Sequence, residues 1–357
     1  MKRMISYGKI GQFRNVVRDI SHTARFVGLD DDGEAIYDNS AKLPTIKFVA
    51  TEKIHGTNGA VCYSYPDGMW FQSRKNIITP EKDNAGCAFF CKSKIALWEG
   101  MVSYLALRDS IDIEKHIISV YFEWCGGSIQ PKSAFSGLDK RAYIFQHYKV
   151  SPIEPSEEEN AYWLPVGDFP DSLEKLNEHN IFLATQFENF SFEIDFENPS
   201  LAQNGMASVV EDVIEPNSPA GKMLGIDGNV GEGIVCTAFW NGQLYRFKVK
   251  GEKHSKSKVK KLAKVDEATE QKKIDFVNTY ACTSSRLEQA WQEMFGINNE
   301  KKEPSRKETG DFIRWVINDI VAEEIDIMVE MGLEPKMVNS KIANVAKHWF
   351  FEQLDKI

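Results

Sequence analysis

From Thr45 the chain alternates apolar and polar positions with period two. Ile46, Phe48 and Ala50 fall on one face of a candidate strand, and Lys47, Val49 and Thr51 on the other. Gly56 allows a turn, and residues 60–65 read as a second strand. Pro66-Asp67-Gly68 marks the turn before a returning strand at 69–73. Strand-like runs follow at 118–124, 143–150, 233–240 and 244–249, with Asn241-Gly242 as a hairpin turn between the last two. Helical spacing is interleaved around 92–107. Beyond about residue 265 the strand signals stop: Phe312, Ile313, Val316, Ile317, Ile320 and Val321 share one helical face, as do Ile342, Val345, Ala346 and Phe350. The pattern predicts an α+β domain over residues 1–265 and an all-helical domain over 266–357. Residues 1–44 mix polar and apolar positions, with a turn-rich patch at Asp30-Asp31-Asp32-Gly33. Residues 151–230 form a motif-free acidic stretch, opening with an exposed acidic loop at 151–160.

Composition changes this picture only at its edges. A chain of 357 residues, 42% hydrophobic and 27% charged, can bury full cores and excludes wholesale disorder and collagen-like repetition. The six cysteines, Cys62, Cys87, Cys91, Cys125, Cys236 and Cys282, make no zinc-like pattern and read as reduced thiols. The opening Met1-Lys2-Arg3-Met4 lacks an apolar signal core, and no apolar run approaches the roughly 20 residues of a membrane span. A soluble cytoplasmic protein with no membrane partner is the expectation.

The most informative stretch is Thr51-Glu52-Lys53-Ile54-His55-Gly56-Thr57-Asn58. Lys53 stands just past an apolar strand, three residues before a glycine. A lysine is a nucleophile only when neutral, so a catalytic role there requires desolvation or neighbouring cations. Alone, K-x-x-G also describes a surface lysine before a turn. Further signals follow in order: Phe71-Gln72-Ser73-Arg74, Tyr121-Phe122-Glu123-Trp124, Tyr143-Ile144-Phe145, Gly231-Glu232-Gly233 and Arg246-Phe247-Lys248-Val249-Lys250. Glu123 lies inside an apolar run, where an ionised carboxylate needs a partner. Lys248 and Lys250 share one strand face.

This ordered set, K-x-x-G, S-R, F-E, an aromatic strand, E-G and K-x-K, resembles that of the covalent nucleotidyltransferases: ATP-dependent RNA and DNA ligases and capping enzymes. The string from Glu52 to Asn58 is similar to the second, nick-sealing family of RNA ligases, which includes phage enzymes and kinetoplastid editing ligases. DNA ligases and capping enzymes usually carry Asp where His55 stands. The resemblance implies an ATP-grasp-like nucleotidyltransferase domain of antiparallel sheets with flanking helices. It further implies a helical C-terminal domain in place of an OB-fold.

The implied activity is ATP-dependent joining of RNA 3′-hydroxyl and 5′-phosphate ends, as in RNA repair, through a Lys53–AMP intermediate and an RNA-adenylate. Lys53 would be the nucleophile, with Lys248 and Lys250 lowering its pKa and neutralising the α-phosphate. Glu123 would bind ribose hydroxyls and Phe145 would stack on adenine, with Glu52, Ile54 and Arg74 also beside the nucleotide. Glu232 would engage the catalytic Mg²⁺ or Mn²⁺, directly or through water. Arg74, His55, Thr57 and Asn58 would handle RNA and phosphate, although Lys75 and Asn76 depart from the small residues usual after that arginine. The rival readings are a capping-type guanylyltransferase, a DNA ligase, or a catalytically inactive RNA-binding relative.

Charge then sharpens the picture. With 43 Lys plus Arg against 52 Asp plus Glu, the net charge of −9 excludes a uniformly basic nucleic-acid binder. Yet residues 246–261 carry eight Lys or Arg against one acid, Glu252, a net of +7. Either a solvated lysine-rich segment or phosphate-backbone contact explains such a run. Beside a nucleotide pocket the second is expected, with Lys253, Lys256 and Lys258 on the RNA. The reading is completed by a monomeric state and, were the source a phage, the host cytoplasm.

Overall fold

The computed structural model describes residues 2–30, 33–130, 133–154, 160–226, 228–251, 265–296, 299 and 301–357. In chain order, helix α1 (Phe13–Arg25) leads to β1 (Phe26–Leu29), β2 (Ala35–Tyr37), β3 (Thr45–Glu52), β4 (Thr57–Ser64), β5 (Gly68–Ser73) and β6 (Ile77–Ile78). Helices α2 (Cys87–Ser93) and α3 (Ile95–Arg108) precede β7 (His116–Cys125), β8 (Arg141–Ile144), β9 (His147–Pro152) and β10 (Tyr162–Pro165). Next come β11 (Ile181–Leu183), β12 (Asn189–Asp195), α4 (Gln203–Ser208), α5 (Pro219–Met223), β13 (Gly233–Trp240) and β14 (Gln243–Lys250). The remainder is α6 (Glu267–Phe276), α7 (Ser284–Phe295), α8 (Thr309–Glu323), α9 (Ile325–Glu330) and α10 (Pro335–Leu354).

These elements fall into two compact units. The first comprises Met1–Val16, Ile46–Ile194 and Asn204–Ala263; the second comprises Val17–Thr45, Asp195–Gln203 and Lys264–Ile357. The division is therefore not collinear with the chain, and a boundary at 265 captures only its last crossing. Hydrogen bonds tie the early segments of the second unit together: Phe196 N donates to Pro44 O, and Leu43 N donates to the Glu197 carboxylate.

In the first unit, an eight-stranded sheet runs β10-β9-β7-β4-β5-β6, with β8 on β7 and β11 parallel to β8. A four-stranded sheet runs β12-β3-β13-β14. The alternation at Ile46, Phe48 and Ala50 is seen directly: all three are buried, while Lys47 and Val49 are exposed. It ends at Thr51 and Glu52, both buried, where the strand leaves its sheet beside a pocket. Trp98, Met101 and Leu105 of α3 pack with Phe122, Trp124 and Tyr148 of the large sheet to form the main core. Two expected elements divide. The run 143–150 becomes β8 and β9, broken at Phe145 and Gln146: Phe145 N still continues the β8–β7 ladder to Tyr121 O, but β9 pairs with β7 in a register shifted by two residues. The helix around 92–107 becomes α2 and α3, broken at Lys94.

The second unit pairs the β1–β2 hairpin with a helical core. Phe276, Phe295, Phe312, Val316, Ile320, Ile342, Ala346 and Phe350 are buried in one cluster, so the two periodic faces meet as the spacing requires. Arg286 draws α7 to the end of α8 through Asp319 at 3.0 Å and Glu324 at 2.5 Å. No helix among the described residues is long and apolar enough to cross a membrane. Phe350 touches Trp291, Phe295, Phe312 and Phe351. Truncation as Phe350→Ala leaves an aromatic-sized cavity and is expected to cost about 3–5 kcal/mol, read by chemical denaturation. A loss below about 1 kcal/mol would show that this core can collapse around the gap.

Candidate active site

Three strand ends converge on one carboxylate. Lys53 leaves the end of β3, and its backbone N–H donates to Gly233 O at 2.8 Å, extending the β3–β13 pairing past Glu52 and Ile234. Gly233 pairs with Lys250 of β14. Its φ is +150°, and a Cβ there would lie 2.1 Å from Val249 O, so no side chain is accommodated. The residue before it, Glu232, is only 5% exposed. Lys53 Nζ reaches one Glu232 oxygen at 2.6 Å and Lys250 Nζ reaches the other at 2.5 Å. Burial would raise the Glu232 pKa, but the two ammonium groups reverse that and hold it below the usual carboxylate range. Lys248 lies on the same β14 face. Its pKa is lowered by burial first, then by the charges of Lys250 and Lys53.

The wall opposite is β7. Glu123 accepts a hydrogen bond from Gly56 N at 3.0 Å, which folds the Lys53–Gly56 loop against the strand. A Cβ on Gly56 would stand 2.4 Å from Trp124 O, which is why glycine occupies that position. Burial pushes the Glu123 pKa up to about 7, with Lys53 and the Gly56 N–H opposing and Glu232 adding to the rise. Lys53, Ile54, Glu123 and Phe145 line one pocket, so the structure gathers these sequence-derived positions. Arg74 acts electrostatically on both Glu123 and Lys248. It also lines, with Thr57, Ser73 and Lys75, a groove of about 640 Å³. Thr57 Oγ1 accepts from Asn84 Nδ2 at 3.4 Å, and Asn58 is the strand partner of Glu123. His55 is half-buried beside them. Lys253, Lys256 and Lys258 lie outside the described residues.

Glu52 also borders the pocket, but its carboxylate is engaged elsewhere. It accepts from Ser218 Oγ at 2.5 Å and from Ala220 N at 2.9 Å. Burial carries its pKa to about 7 against those hydrogen bonds. Glu52 thereby fastens the start of α5 to the strand that presents Lys53. The Ser218-Pro219 pair is a legible helix start, with serine as cap and proline in the first turn. Nothing in its spacing names a partner 166 residues away.

Sequence reasoning missed the far end of the pocket. Tyr7 lines it together with Gln146, His147 and Thr237. The Tyr7 ring lies 4.9 Å from both Phe145 and Tyr121. Arg246, known from its sequence only as part of the basic run, is held between Tyr7 and Trp163, 4.2 and 4.3 Å from their ring centres. Burial, then the Arg246 charge, lowers the His147 pKa to about 4, so this imidazole is neutral at pH 7. Among the described residues no group of three or more His, Cys, Asp or Glu side chains is placed to hold a metal ion.

The RNA ligase family model matches residues 46–250, more than half of the chain and the whole span from the first residues of β3 to the end of β14. No curated protein matches. Among solved structures, Naegleria gruberi RNA ligase with pyrophosphate is similar at 13% identity and a TM-score of 0.39. A lysine-to-alanine mutant of the same Naegleria gruberi enzyme, with ATP and Mn, is similar at 15% identity and a TM-score of 0.40. Each match covers 71% of this chain and 58% of the solved one, so the chain spans under two thirds of those proteins. By the family match, which takes in Lys53, Arg74, Glu123, Phe145, Glu232, Lys248 and Lys250 alike, the chain belongs to the RNA ligase family.

Proposed function

We propose that the protein is an ATP-dependent RNA ligase that joins 3′-hydroxyl and 5′-phosphate RNA ends through a Lys53–AMP intermediate. The observation that carries this reading is the chain of contacts from Lys53 through Glu232 to Lys250, with Lys53 itself lining the pocket that holds Glu123 and Phe145. In the first step Lys53 Nζ attacks the ATP α-phosphorus. An N–P bond forms, the P–O bond to pyrophosphate breaks, and Lys53 gives up a proton. Glu232, 2.6 Å away, holds and orients the Lys53 side chain, and because its own pKa lies below the usual carboxylate range the proton leaves to solvent rather than to it. Lys248 and Lys250 supply positive charge for the α-phosphate.

A 5′-phosphate oxygen of RNA then attacks the AMP phosphorus and the Lys53–P bond breaks. Finally the 3′-hydroxyl attacks the activated 5′-phosphorus and AMP leaves. Arg74, on the groove it shares with Thr57, is a guanidinium suited to the phosphate that must enter. For a divalent cation the site offers Glu232, directly or through water, a single carboxylate that fits Mg²⁺ or Mn²⁺ held mostly by water and phosphate oxygens. When bound it would neutralise charge on the transferring phosphate. All six cysteines are free thiols, five of them buried, which suits the reducing cytoplasm. The protein acts as a monomer in this reading.

Intact-mass analysis after incubation with ATP and Mg²⁺ is expected to show one AMP adduct on the wild type and none on Lys53→Ala. An adduct on Lys53→Ala, or label taken from GTP and not from ATP, sinks the proposal. Gel assays with nicked and single-stranded substrates then identify the preferred ends.

The Glu123 environment also sets a pH dependence. Its carboxylate is the form that accepts ribose hydroxyls, and its raised pKa leaves it partly protonated near pH 7. Raising the pH from 6 to 8 therefore increases the acceptor form, and KM for ATP in adenylylation is expected to fall several-fold. Glu123→Gln should weaken ATP binding and flatten that pH profile. An unchanged slope in the variant would assign the titration to another group.

A further inference from the structure

The second compact unit holds a cavity of about 300 Å³ at the end of α1. Ser21, His22 and Arg25 of α1, Tyr37 of β2, Asn39, Arg306, and Lys347 and Phe351 of α10 line it. Three permanent cations and a histidine therefore come from separate elements to one opening, and no carboxylate lines it. Elsewhere in the same unit cations hold acids: Arg286 holds Asp319 and Glu324, Lys273 and Lys341 hold Glu270, Lys302 holds Glu308, and Lys336 holds Glu334. Among the described residues Arg25, Arg306 and Lys347 form no ion pair. Arg25 Nε is moreover buried without a hydrogen-bond partner.

Glu197 and Asp38 act on Arg25 electrostatically without an ion-pair contact, and their oxygens take hydrogen bonds from other groups. Asp38 accepts from the N–H and hydroxyl of Ser40, and Glu197 accepts from Leu43 N. Positive potential spreads to His348, whose pKa is brought to about 4 by burial first and then by Arg25 and Lys347. The remaining walls are aromatic. Arg306 and Lys347 lie 5.6 and 5.5 Å from the Phe351 ring, and His22 meets Tyr37 edge-on at 5.5 Å. Unpaired cations around aromatic faces in a cavity of nucleotide size form a site for a phosphate with its attached base.

We propose that this cavity is an RNA-binding subsite. It seats one phosphate of the substrate strand on Arg25, Arg306 and Lys347, with the neighbouring base against Tyr37 or Phe351. The proposal rests on RNA being the substrate, and it adds a contact outside the adenylylation pocket.

The full-length protein, a fluorescein-labelled single-stranded RNA and an anisotropy titration at several salt concentrations test it. The double variant Arg306→Glu/Lys347→Glu alters exposed side chains that have no place in the adenylylation chemistry. It should weaken RNA binding by about tenfold or more and reduce the salt slope by about 1–2, as for one or two lost phosphate contacts. Arg306→Lys/Lys347→Arg should bind nearly as the wild type does. A charge-matched control, Arg314→Glu/Lys336→Glu, should bind within about twofold of wild type. Wild-type affinity and salt slope in the cavity variant overturn the subsite, and so does an equal loss in the control. Adduct formation with ATP, measured in parallel, reports on Lys53 alone: its absence from the wild type defeats the ligase reading, whereas its presence beside unchanged RNA binding defeats only the subsite.

Discussion

Glu232 is the constraint on which the Lys53 end of the first unit depends. Two lysines from different strands face one another across a space that is largely closed to water, and their mutual repulsion would open it. A single buried carboxylate gives each of them an oxygen and balances one of the two charges. It can do so because the residues on either side of the contact are shaped around it. Gly233 lets β13 approach β14 without a Cβ in the way, and the Lys53 N–H reaches the Gly233 carbonyl. The ion pairs are thus a product of strand register. A one-residue slip of β13 would turn every side chain of that strand to the opposite face.

A second set of contacts limits where Lys53 can travel. Gly56 fits under the Trp124 carbonyl and gives its N–H to Glu123, so the loop behind the lysine is anchored to β7. Glu52 anchors the residue in front through Ser218 and Ala220. Lys53 therefore sits between two fixed points, and its side chain alone carries the freedom to exchange one negative partner for another. Preorganisation of this kind reduces the motion required at the moment of reaction.

Much of this was legible in the chain, and particular residues show why. Period-two alternation placed Ile46, Phe48 and Ala50 correctly because one side of β3 faces a core and the other does not. Asn241-Gly242 marked the β13–β14 hairpin because few other pairs accept positive φ at both residues; here φ is 48° and 72°. The helical faces of α8 and α10 carried their own period. Glu123, Lys248 and Lys250 stood out as polar residues at strand positions, and Lys53 and Glu232 as polar residues beside strand ends. What escaped was everything set by distant contact. Tyr7 reads as an ordinary aromatic until Phe145 and Arg246 are brought beside it, and Glu52 reads as a motif residue until Ser218 arrives. The noncollinear assembly of the second unit escaped for the same reason, since hydrogen bonds between distant loops leave no periodic trace.

That noncollinear assembly bears on the order in which the molecule can form. Leu43 finds its Glu197 acceptor 154 residues downstream, and Asn198 finds Lys341 a further 143 along. Contacts of such long range are slow to close, whereas the β4–β5 hairpin needs only Ser64 to meet Gly68. As the chain emerges from the ribosome, the β4–β5 hairpin therefore closes while β3, whose sheet neighbours β12 and β13 are still unmade, and residues 17–45 both lack their partners. The first part of the helical unit to be made is among the last to be enclosed. Its apolar side chains stay within reach of chaperones until α10 has been synthesised.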